Sequence, residues 1–390
     1  MSWTEITVLV ERAKTGDREA YGELVTRFQH SVYAMALARV RDPLELFLME
    51  ERMREIEVAE NPVPGLSAKL SFGGGTPSLL PSGDLARLLA ALREAFDVDA
   101  GAEITVEMNP GTLTPEKLSV YREAGVTRAS VGVQSFDDAE LRSIGRVHDA
   151  AEARAAVRML REAGFENVSL DLIAGLPRQS REVWRRNLDE ALALEPDHLS
   201  LYLLELHPGT KLARDVEAGR VVRPDDDLAA EMYFAMVDRL TAAGFEHYEI
   251  SNFARGAGRR SRHNEKYWTD APYYGFGVSA HAFTNGERRA NVRQIAAYAE
   301  AIEGDGTAVA ERTPTAGRER AAEAAFLGLR RLEGIDLEAF AARHGVDLLD
   351  EHHEGLAPFF EAGLLEVAHG RLRLTRAGLV LSNEVFQAFV

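Results

Sequence analysis

The chain contains no cysteine among its 390 residues. This absence excludes disulfide bonds, metal sites built from thiolates and cysteine nucleophiles. The sequence also lacks an apolar stretch long enough to cross a membrane. The start, Met1–Glu5, lacks the basic and apolar regions of a signal peptide. We therefore expect a cytoplasmic protein with no integral membrane span.

Positive charge is scarce, because 45 Lys and Arg residues stand against 62 Asp and Glu, a formal net charge of −17. Nucleic-acid binding gains its affinity from neutralised phosphates, so we expect no nucleic-acid partner. Apolar residues make up 46% of the chain, which is ample for a globular core. The length allows one large domain with a smaller one, or two to three domains. The sequence does not indicate an oligomeric state.

Residues 1–43 have the apolar period of helices, most clearly from Tyr21 to Ala36. An ordinary helical hairpin would account for this pattern. The stretch Leu9–Val25 also resembles the opening of the extracytoplasmic-function sigma factors. That resemblance stops near Pro43, and the segment it covers is too short to work as a sigma factor.

Residues 44–290 alternate between strand and helix patterns. A helix is predicted over Leu44–Glu60 and another from about Asp84 to Phe96. The predicted strands are Lys69–Phe72, Glu103–Met108, Arg128–Val133, Val168–Ile173, His198–Leu204 and Glu246–Ile250. Three of the intervening helices end on an Ala-Gly pair, the usual left-handed closure: Ala124-Gly125, Ala163-Gly164 and Ala243-Gly244. Repeated strand–helix units predict an α/β fold of parallel strands, a partial TIM-like barrel of the (β/α)6 type.

Residues 291–390 change character. The pattern predicts a helix over Arg318–Leu332, a second after Asp336 and a third that ends at Ala362-Gly363. A short hairpin of Leu364–Val367 and Arg371–Leu374 follows, with a glycine turn. Three helices and a hairpin indicate a small winged-helix-like α+β domain. The acidity of the chain favours a packing role for this domain over DNA binding.

Polar residues lie where the predicted strands of the barrel end, the edge at which such folds build their sites. Glu107, Gln134 and Asp171 follow three strands, and Arg146 lies on the segment between the last two. The run Gly73–Ser78 follows the first strand, and its three glycines let backbone approach a ligand closely. Each residue alone would be explained as a cap on the barrel, but as an ordered set they indicate a site.

From Lys69 to the C-terminus these motifs resemble the oxygen-independent coproporphyrinogen III oxidase branch of the radical S-adenosylmethionine (SAM) proteins. The resemblance implies a SAM site made of Gly74, Gly75, Thr76, Glu107, Gln134, Arg146 and Asp171. In such a site the loop would donate backbone hydrogen bonds to the methionine end of SAM. The two acids would accept from ribose hydroxyls or an ammonium group, the glutamine would donate and accept, and the arginine would pair with a carboxylate.

The hexapeptide His263-Asn264-Glu265-Lys266-Tyr267-Trp268 matches the HNxxYW signature of heme chaperones within that branch. The match implies that His263 is an axial ligand to heme iron and that Tyr267 and Trp268 offer flat apolar surface to the macrocycle. Arginines just upstream would meet the propionates; they are Arg255, Arg259, Arg260 and Arg262. His281, in a later loop that closes the cofactor site in the family, is a second candidate ligand. Without the resemblance, a surface loop with a structural histidine and a solvated basic run would explain the segment.

The chain departs from this branch before the glycine run. Family members carry a C-x3-C-x2-C loop there, whereas this chain has the helical segment that ends near Glu60 and no cysteine. The family's [4Fe–4S] cluster therefore has no ligands of the usual kind, and histidines and carboxylates rarely replace all three. Reductive cleavage of SAM needs that cluster. We expect radical activity to be absent and SAM affinity to be weak or lost.

Three functions follow from these observations. The leading hypothesis is a heme-binding protein of the heme-chaperone type without a cluster, with heme or porphyrin as its ligand and heme-accepting proteins as partners. The alternative is an oxygen-independent coproporphyrinogen III oxidase of porphyrin biosynthesis, which decarboxylates two propionates by radical chemistry. A third hypothesis is a non-enzymatic fusion product whose sigma-like head contacts RNA polymerase.

Overall fold

The computed structural model describes residues 69–74, 76–222 and 225–389. The segment 1–43, the helix predicted over Leu44–Glu60 and Gly75 of the glycine run lie outside the described residues. The described chain belongs to two compact units, one of residues 69–273 with 314–389 and one of residues 274–313. Each unit is described by itself.

The main unit is built on a seven-stranded sheet that curves into a partial barrel. Its strands are β1 (Lys69–Phe72), β2 (Glu103–Met108), β3 (Arg128–Gln134), β4 (Val168–Ala174), β5 (His198–Leu203), β6 (Glu246–Glu249) and β7 (Asn252–Ala254). The strand order is β1-β2-β3-β4-β5-β7-β6, and β1 to β5 are parallel. The predicted α/β barrel is therefore confirmed. Strand β7, which is antiparallel to both β5 and β6, was not predicted, because three residues carry no readable period.

The two faces of this sheet differ in polarity, since successive side chains of a strand point to opposite faces. One face is apolar and fully buried, with Val106, Val131 and Leu170 among its side chains, and it contributes to the main hydrophobic core. The register aligns the polar side chains on the other face. They are Glu103, Thr105 and Glu107 of β2, Arg128 and Ser130 of β3, Ser169 and Asp171 of β4, and His198, Ser200 and Tyr202 of β5. The polar face is therefore the one that can receive a ligand.

Helices follow the strands as the sequence predicts. They are α1 (Ser82–Ala95), α2 (Pro115–Glu123), α3 (Asp138–Ser143), α4 (Ala150–Glu162), α5 (Arg181–Ala193), α6 (Lys211–Glu217), α7 (Asp226–Ala242) and α8 (Arg262–Trp268). The Thr114 hydroxyl accepts the Lys117 N–H at 3.2 Å and begins α2. Gly125, Gly164 and Gly244 have φ values of 94°, 81° and 84°, which confirms the three Ala-Gly closures.

Residues 274–313 contain a small three-stranded sheet and one helix. The elements are β8 (His281–Thr284), β9 (Glu287–Asn291), α9 (Ile295–Asp305) and β10 (Val309–Pro314), with strand order β10-β9-β8. A small core of Tyr298, Ala299, Ile302 and Ala308 holds the unit together. His281 is exposed at the first position of β8.

The C-terminal part of the main unit confirms the predicted helices and hairpin. Its elements are α10 (Gly317–Leu329), β11 (Ile335–Asp336), α11 (Leu337–His344), α12 (Leu348–Glu351), α13 (His353–Glu361), β12 (Leu365–Ala368), β13 (Arg371–Leu374), α14 (Arg376–Val380) and α15 (Ser382–Phe386). The hairpin turns at His369-Gly370, both with positive φ, and β11 adds a third strand. The domain boundaries predicted after residues 43 and 290 stay predictions. Within the described ranges, no helix is both long and apolar enough to span a membrane.

A buried acid joins the end of α8 to the C-terminal helices. Asp270 is 5% exposed, and its Oδ2 lies 3.2 Å from Arg320 Nη2 of α10 and 3.3 Å from Arg343 Nη2 of α11. Arg343 also donates to the backbone carbonyls of Thr269 and Asp270. The C-terminal end of α8 is thereby held by charge-assisted hydrogen bonds.

Candidate functional site

The glycine run passes directly against a carboxylate. A Cβ atom on Gly73 would lie 2.6 Å from Oε1 and 2.8 Å from Oε2 of Glu107, so no larger residue fits there without moving the acid. Gly74 has a φ of 80°, a conformation that favours glycine. The end of β1 and the end of β2 therefore meet, as the sequence predicts for a barrel site.

Asn109 connects the loops that follow the first three strands. Its Nδ2 donates to Thr76 Oγ1 at 3.2 Å, and its Oδ1 accepts from Arg146 Nη2. Arg146 Nη2 also donates to the Gly132 carbonyl at 2.7 Å. The structure thus brings Thr76 and Arg146 together through a residue that sequence reasoning did not select. Its position immediately after β2, beside a predicted site residue, was the available signal.

Gln134 lies at the end of β3 in a strained backbone conformation. Its φ is 66°, and the register of β3 against β4 shifts just before it. A Cβ atom on Gly132 would lie 2.9 Å from Gln134 Nε2 and 3.2 Å from Arg146 Nη2. Both side chains therefore fold back over Gly132, and the predicted members Gln134 and Arg146 are neighbours.

Two acids in this cleft are electrostatically coupled. Burial raises the pKa of Asp171 to about 7; the charge of Glu107 reinforces the rise, while Arg128 and hydrogen bonds from Ser130 and Ser200 oppose it. Burial also raises the pKa of Glu107, against a backbone hydrogen bond from Gly74 and the charge of Arg128. Glu107 is nevertheless solvent-accessible and Asp171 half-buried. The pair can accept hydrogen bonds from a cationic or hydroxyl-bearing ligand that replaces the solvent.

Another part of the polar face forms a buried hydrogen-bonded network. Arg128 is 3% exposed, and its Nη2 lies 3.2 Å from His198 Nδ1, which Ser169 Oγ also approaches at 2.8 Å. His198 Nε2 lies 2.7 Å from the Tyr248 hydroxyl. Burial keeps the pKa of His198 well below its usual value. These residues were not selected from the sequence, since lone polar residues inside strand patterns do not reveal their partners.

Helix α8, which carries the HNxxYW hexapeptide, begins against the polar face of β2. The buried Glu103 accepts the backbone N–H of His263 at 3.1 Å and that of Arg262 at 3.3 Å. Ser261 caps the same end by accepting the Asn264 N–H at 3.3 Å. The hexapeptide is therefore a short helix seated on the sheet and not a surface loop. Glu103 is another residue that was not selected from the sequence.

Both ring nitrogens of His263 have partners. Its Nδ1 lies 2.9 Å from Lys266 Nζ, and its Nε2 lies 3.2 Å from the Tyr267 hydroxyl. Burial lowers the pKa of His263 to about 3, with the charges of Lys266, Arg128 and Lys69 acting in the same direction. The imidazole is therefore uncharged at neutral pH. It has the form that can ligate iron, but a ligand must displace one of its present partners.

Lys266 is itself buried, with 7% of its surface exposed. Its Nζ lies 4.5 Å from the ring centroid of Tyr267 and 5.1 Å from that of Tyr273. Burial lowers the pKa of Lys266 to about 7; the charge of Lys69 adds to the shift and that of Glu103 opposes it. Lys266 was not selected from the sequence, because a charged side chain is normally expected to be solvated.

The aromatic residues of the hexapeptide differ in exposure. Trp268 is 8% exposed and packs with Tyr248 and Ala254 in a small core, its ring centroid 6.0 Å from that of Tyr248. Tyr267 is half-buried and stands edge-on to His263. In this arrangement the Trp268 ring is covered by protein. The predicted role of Tyr267 and Trp268 as a surface for a macrocycle stays a prediction.

The upstream arginines each have a protein partner. Arg255 Nε donates to the Pro196 carbonyl at 2.9 Å, and Arg262 Nη1 donates to the Gly101 carbonyl at 3.0 Å. Arg260 pairs with Glu246, and Arg259 lies 3.6 Å from Asp197. An anionic propionate would therefore compete with existing contacts. Their role toward propionates stays a prediction, as does the ligand role of His281 in the separate unit.

An iron–sulfur cluster does not fit this chain. The full sequence contains no thiolate, and in the part of the chain that the structure describes no three His, Asp or Glu side chains are grouped to hold a metal ion. Thiolates are the ligands that hold such clusters. The strand-end side chains that the structure brings together offer hydrogen bonds and charge, not cluster ligands.

Comparison with known proteins identifies two family matches. Residues 29–191 match the Radical SAM superfamily and residues 316–381 match the HemN C-terminal domain. The heme chaperone HemW of Bacillus subtilis strain 168 is 36% identical over 85% of this chain and 88% of its own. The heme chaperone HemW of Lactococcus lactis strain IL1403 is 35% identical over 82% of this chain and 83% of its own.

One solved structure shares the fold over most of the chain. It is the Escherichia coli coproporphyrinogen III oxidase HemN, described as a radical SAM enzyme, with a TM-score of 0.77. The match covers 89% of this chain and 82% of that one, at 23% sequence identity. At this identity the likeness establishes the architecture alone, and it confirms the predicted barrel with its C-terminal helical domain.

Proposed function

The chain belongs to the HemW family of radical SAM proteins, and on this premise we propose that it binds heme as cargo, in the manner of a heme chaperone, without an iron–sulfur cluster. The observation that carries the proposal is α8. The HNxxYW residues form one helix that presents an uncharged imidazole, His263, among side chains that can be exchanged for a ligand. A neutral imidazole is a common axial ligand to heme iron.

The strand-end cleft supports a second, weaker binding role. Thr76, Asn109 and Arg146 are joined there, Glu107 is exposed beside the glycine run, and Asp171 is half-buried. Together with Gly74, Gly75 and Gln134 these residues would hold SAM through hydrogen bonds and ion pairs. No cluster iron is there to fix its methionine group, so we propose a lower affinity than in relatives that carry the cluster.

The metal-binding side chains of this chain do not support the oxidase alternative. Radical decarboxylation needs a reduced cluster, and this chain has no cysteine to hold one. The structural likeness to the Escherichia coli oxidase extends to the fold only. The third hypothesis, contact of an N-terminal head with RNA polymerase, concerns residues outside the described ranges. It stays a prediction, as do the cytoplasmic location and the heme-accepting partners.

The direct test is a titration of ferric heme into the purified chain, followed by its Soret band. His263→Ala should weaken heme binding about tenfold or more and shift the band, because one axial ligand is lost. His207→Ala, which removes an exposed histidine at the surface, is the matched control and should bind like the original chain. An identical band and affinity in His263→Ala would remove His263 as the ligand.

A separate measurement tests whether the chain binds an iron–sulfur cluster. Iron and sulfide are assayed after anaerobic reconstitution, with a cluster-bearing HemW treated in parallel. We expect no stoichiometric iron or sulfide on this chain. Bound cluster would contradict the proposal that this family member works without one.

A further inference from the structure

Two residues of the same helix contact the two ring nitrogens of His263. Lys266 and Tyr267 are three and four positions further along α8, the spacing that places side chains on one helix face. Lys266 Nζ lies 2.9 Å from Nδ1, and the Tyr267 hydroxyl lies 3.2 Å from Nε2. Neither nitrogen of the proposed heme ligand is therefore available as the helix stands.

The chemistry of lysine fixes the roles in this contact. A lysine ammonium has three hydrogen-bond donors and no acceptor. In this charged form Lys266 donates to Nδ1, and Nδ1 then carries the lone pair. The ring proton is then on Nε2, which donates to the Tyr267 hydroxyl oxygen. The lone pair that an iron atom would need is the one that Lys266 occupies.

The surroundings of Lys266 keep it in this position. Its Nζ lies over the faces of Tyr267 and Tyr273, at 4.5 Å and 5.1 Å from the ring centroids. Such contacts attract a cation, more strongly when it is shielded from water. With 7% of its surface exposed, Lys266 has little solvent to exchange for its imidazole partner.

We propose that Lys266 and heme iron compete for His263. Heme binds only when Lys266 is displaced from the ring, and Lys266 returns to the ring when heme leaves. This inference rests on the proposed function, because it needs His263 as the ligand. Two routes lead to the same competition. Ligation through Nδ1 displaces Lys266 directly; ligation through Nε2 first moves the ring proton from Nε2 to Nδ1, where it meets the Lys266 donor. In both, Lys266 lowers heme affinity and favours release of the cargo.

The decisive variant is Lys266→Met, which keeps the length of the side chain and removes its donor. We expect ferric heme to bind about tenfold more tightly, since one charge-assisted hydrogen bond no longer competes. Lys211→Met, which removes an exposed lysine on α6, is the control for loss of one positive charge and should leave affinity unchanged. Lys266→Arg retains a donor and should stay close to the original chain. In Lys266→Met combined with His263→Ala the gain should disappear.

A measurement without heme keeps the inference testable if a variant fails to fold. Nitrogen-15 NMR of the histidine ring in the unaltered chain should show the proton on Nε2 of His263 and a hydrogen-bonded lone pair on Nδ1. A proton on Nδ1 would overturn the competition. If His263→Ala weakens heme binding and Lys266→Met does not strengthen it, the inference fails while the proposed function stands. If His263→Ala binds heme unchanged, the proposed ligand is wrong, and the competition falls with it.

Discussion

The cleft at the strand ends and helix α8 are both built from polar side chains, yet they relate to a ligand in opposite ways. In the cleft, Glu107 is exposed to solvent and Asp171 is half-buried, so a ligand there would add contacts. On α8, His263, Lys266 and Trp268 are already paired or packed, so a ligand would have to replace contacts. Binding that exchanges one set of partners for another leaves a smaller surplus of free energy. Such a site is suited to cargo that must leave again.

The fold that places this chain in its family does not depend on ligands for a cluster. The chain keeps the fold of a radical SAM relative although it has no cysteine to anchor a cluster. The shape of the cleft depends on the barrel and on contacts such as Asn109 with Thr76 and Arg146, none of which involves a metal. These contacts therefore do not depend on a cluster.

The largest effect is expected where α8 is anchored to the C-terminal helices. Asp270→Ala should lower the free energy of unfolding by about 2–3 kcal/mol, because it leaves Arg320 and Arg343 facing a buried gap. Both arginines keep some solvent exposure, which limits the loss. Urea unfolding measures it. Asp238→Ala, which breaks an exposed pair with Arg376, should cost less than about 1 kcal/mol. Equal losses in the two variants would show that Asp270 is not an anchor.

A somewhat smaller loss is expected at the other end of α8. Glu103→Ala removes the acceptor of the His263 and Arg262 backbone N–H groups, at a cost of about 1–2 kcal/mol. Hydrogen exchange at those two amides should accelerate, because they lose their partner. Glu103→Gln keeps an acceptor oxygen and should cost less. Unchanged exchange in Glu103→Ala would mean that α8 does not depend on β2.

Because of Asp171 in the cleft, the free energy of unfolding should depend on pH. The pKa of Asp171 is raised in the folded chain to about 7 from an ordinary 3.8, so the folded state holds the proton more tightly. The stability that this protonation contributes is complete below about pH 3.8 and is lost as the pH rises through 7. Asp171→Asn removes the titration. The variant should therefore gain stability relative to the original chain between pH 4 and pH 7 and hold that gain above.

Chemical unfolding across this pH range tests the Asp171 prediction. Asp238→Asn is the opposite control, because a hydrogen bond from Arg376 lowers the pKa of Asp238. The stabilising contribution of ionised Asp238 is present above pH 3.8 and is lost as the pH falls. Asp238→Asn should therefore be less stable than the original chain near neutrality. A flat difference between Asp171→Asn and the original chain would contradict the raised pKa of Asp171.

The smallest change in stability is expected for Glu107, which lies on the same strand as Glu103. Glu103 and Glu107 lie on the same face of β2, but only Glu103 accepts hydrogen bonds from α8. Burial raises the pKa of Glu107, so its charge is a cost to the fold and not a support. Glu107→Gln should change stability by no more than about 0.5 kcal/mol at pH 7. A loss as large as that of Glu103→Ala would mean that the cleft is held together by this acid.

The sequence predicted the elements with local signals. Thr114 and Pro115 mark the start of α2, and the Ala-Gly pairs close three helices, because caps act within a few residues. The strands from β1 to β5 were predicted within one residue at each end, since their apolar side chains alternate on a buried face. The cleft residues were selected because they follow these strands.

What the sequence could not show are contacts between distant segments. Glu103 meets α8 across 160 positions, and Asp270 meets α10 across 50 positions and α11 across 73. No periodicity records such partners. The burial of Lys266 depends on Tyr273 and on the sheet beneath α8, whereas a lysine in a sequence is normally assigned to the surface. The pairing of His263 with Lys266 and Tyr267 is local, three and four positions along one helix, and it was missed because the hexapeptide was not predicted to be a helix.

Helix α8 is held at both ends, by Glu103 at its first residues and by Asp270 just beyond its last. The kinetics of cargo exchange follow from this. With its ends fixed, we expect the helix to stay folded and in place while rotations of Lys266 and Tyr267 expose His263. Side-chain rotations are much faster than helix displacement or local unfolding. Heme uptake should therefore proceed in a single phase whose rate is proportional to heme concentration, without a slow opening step that sets an upper limit.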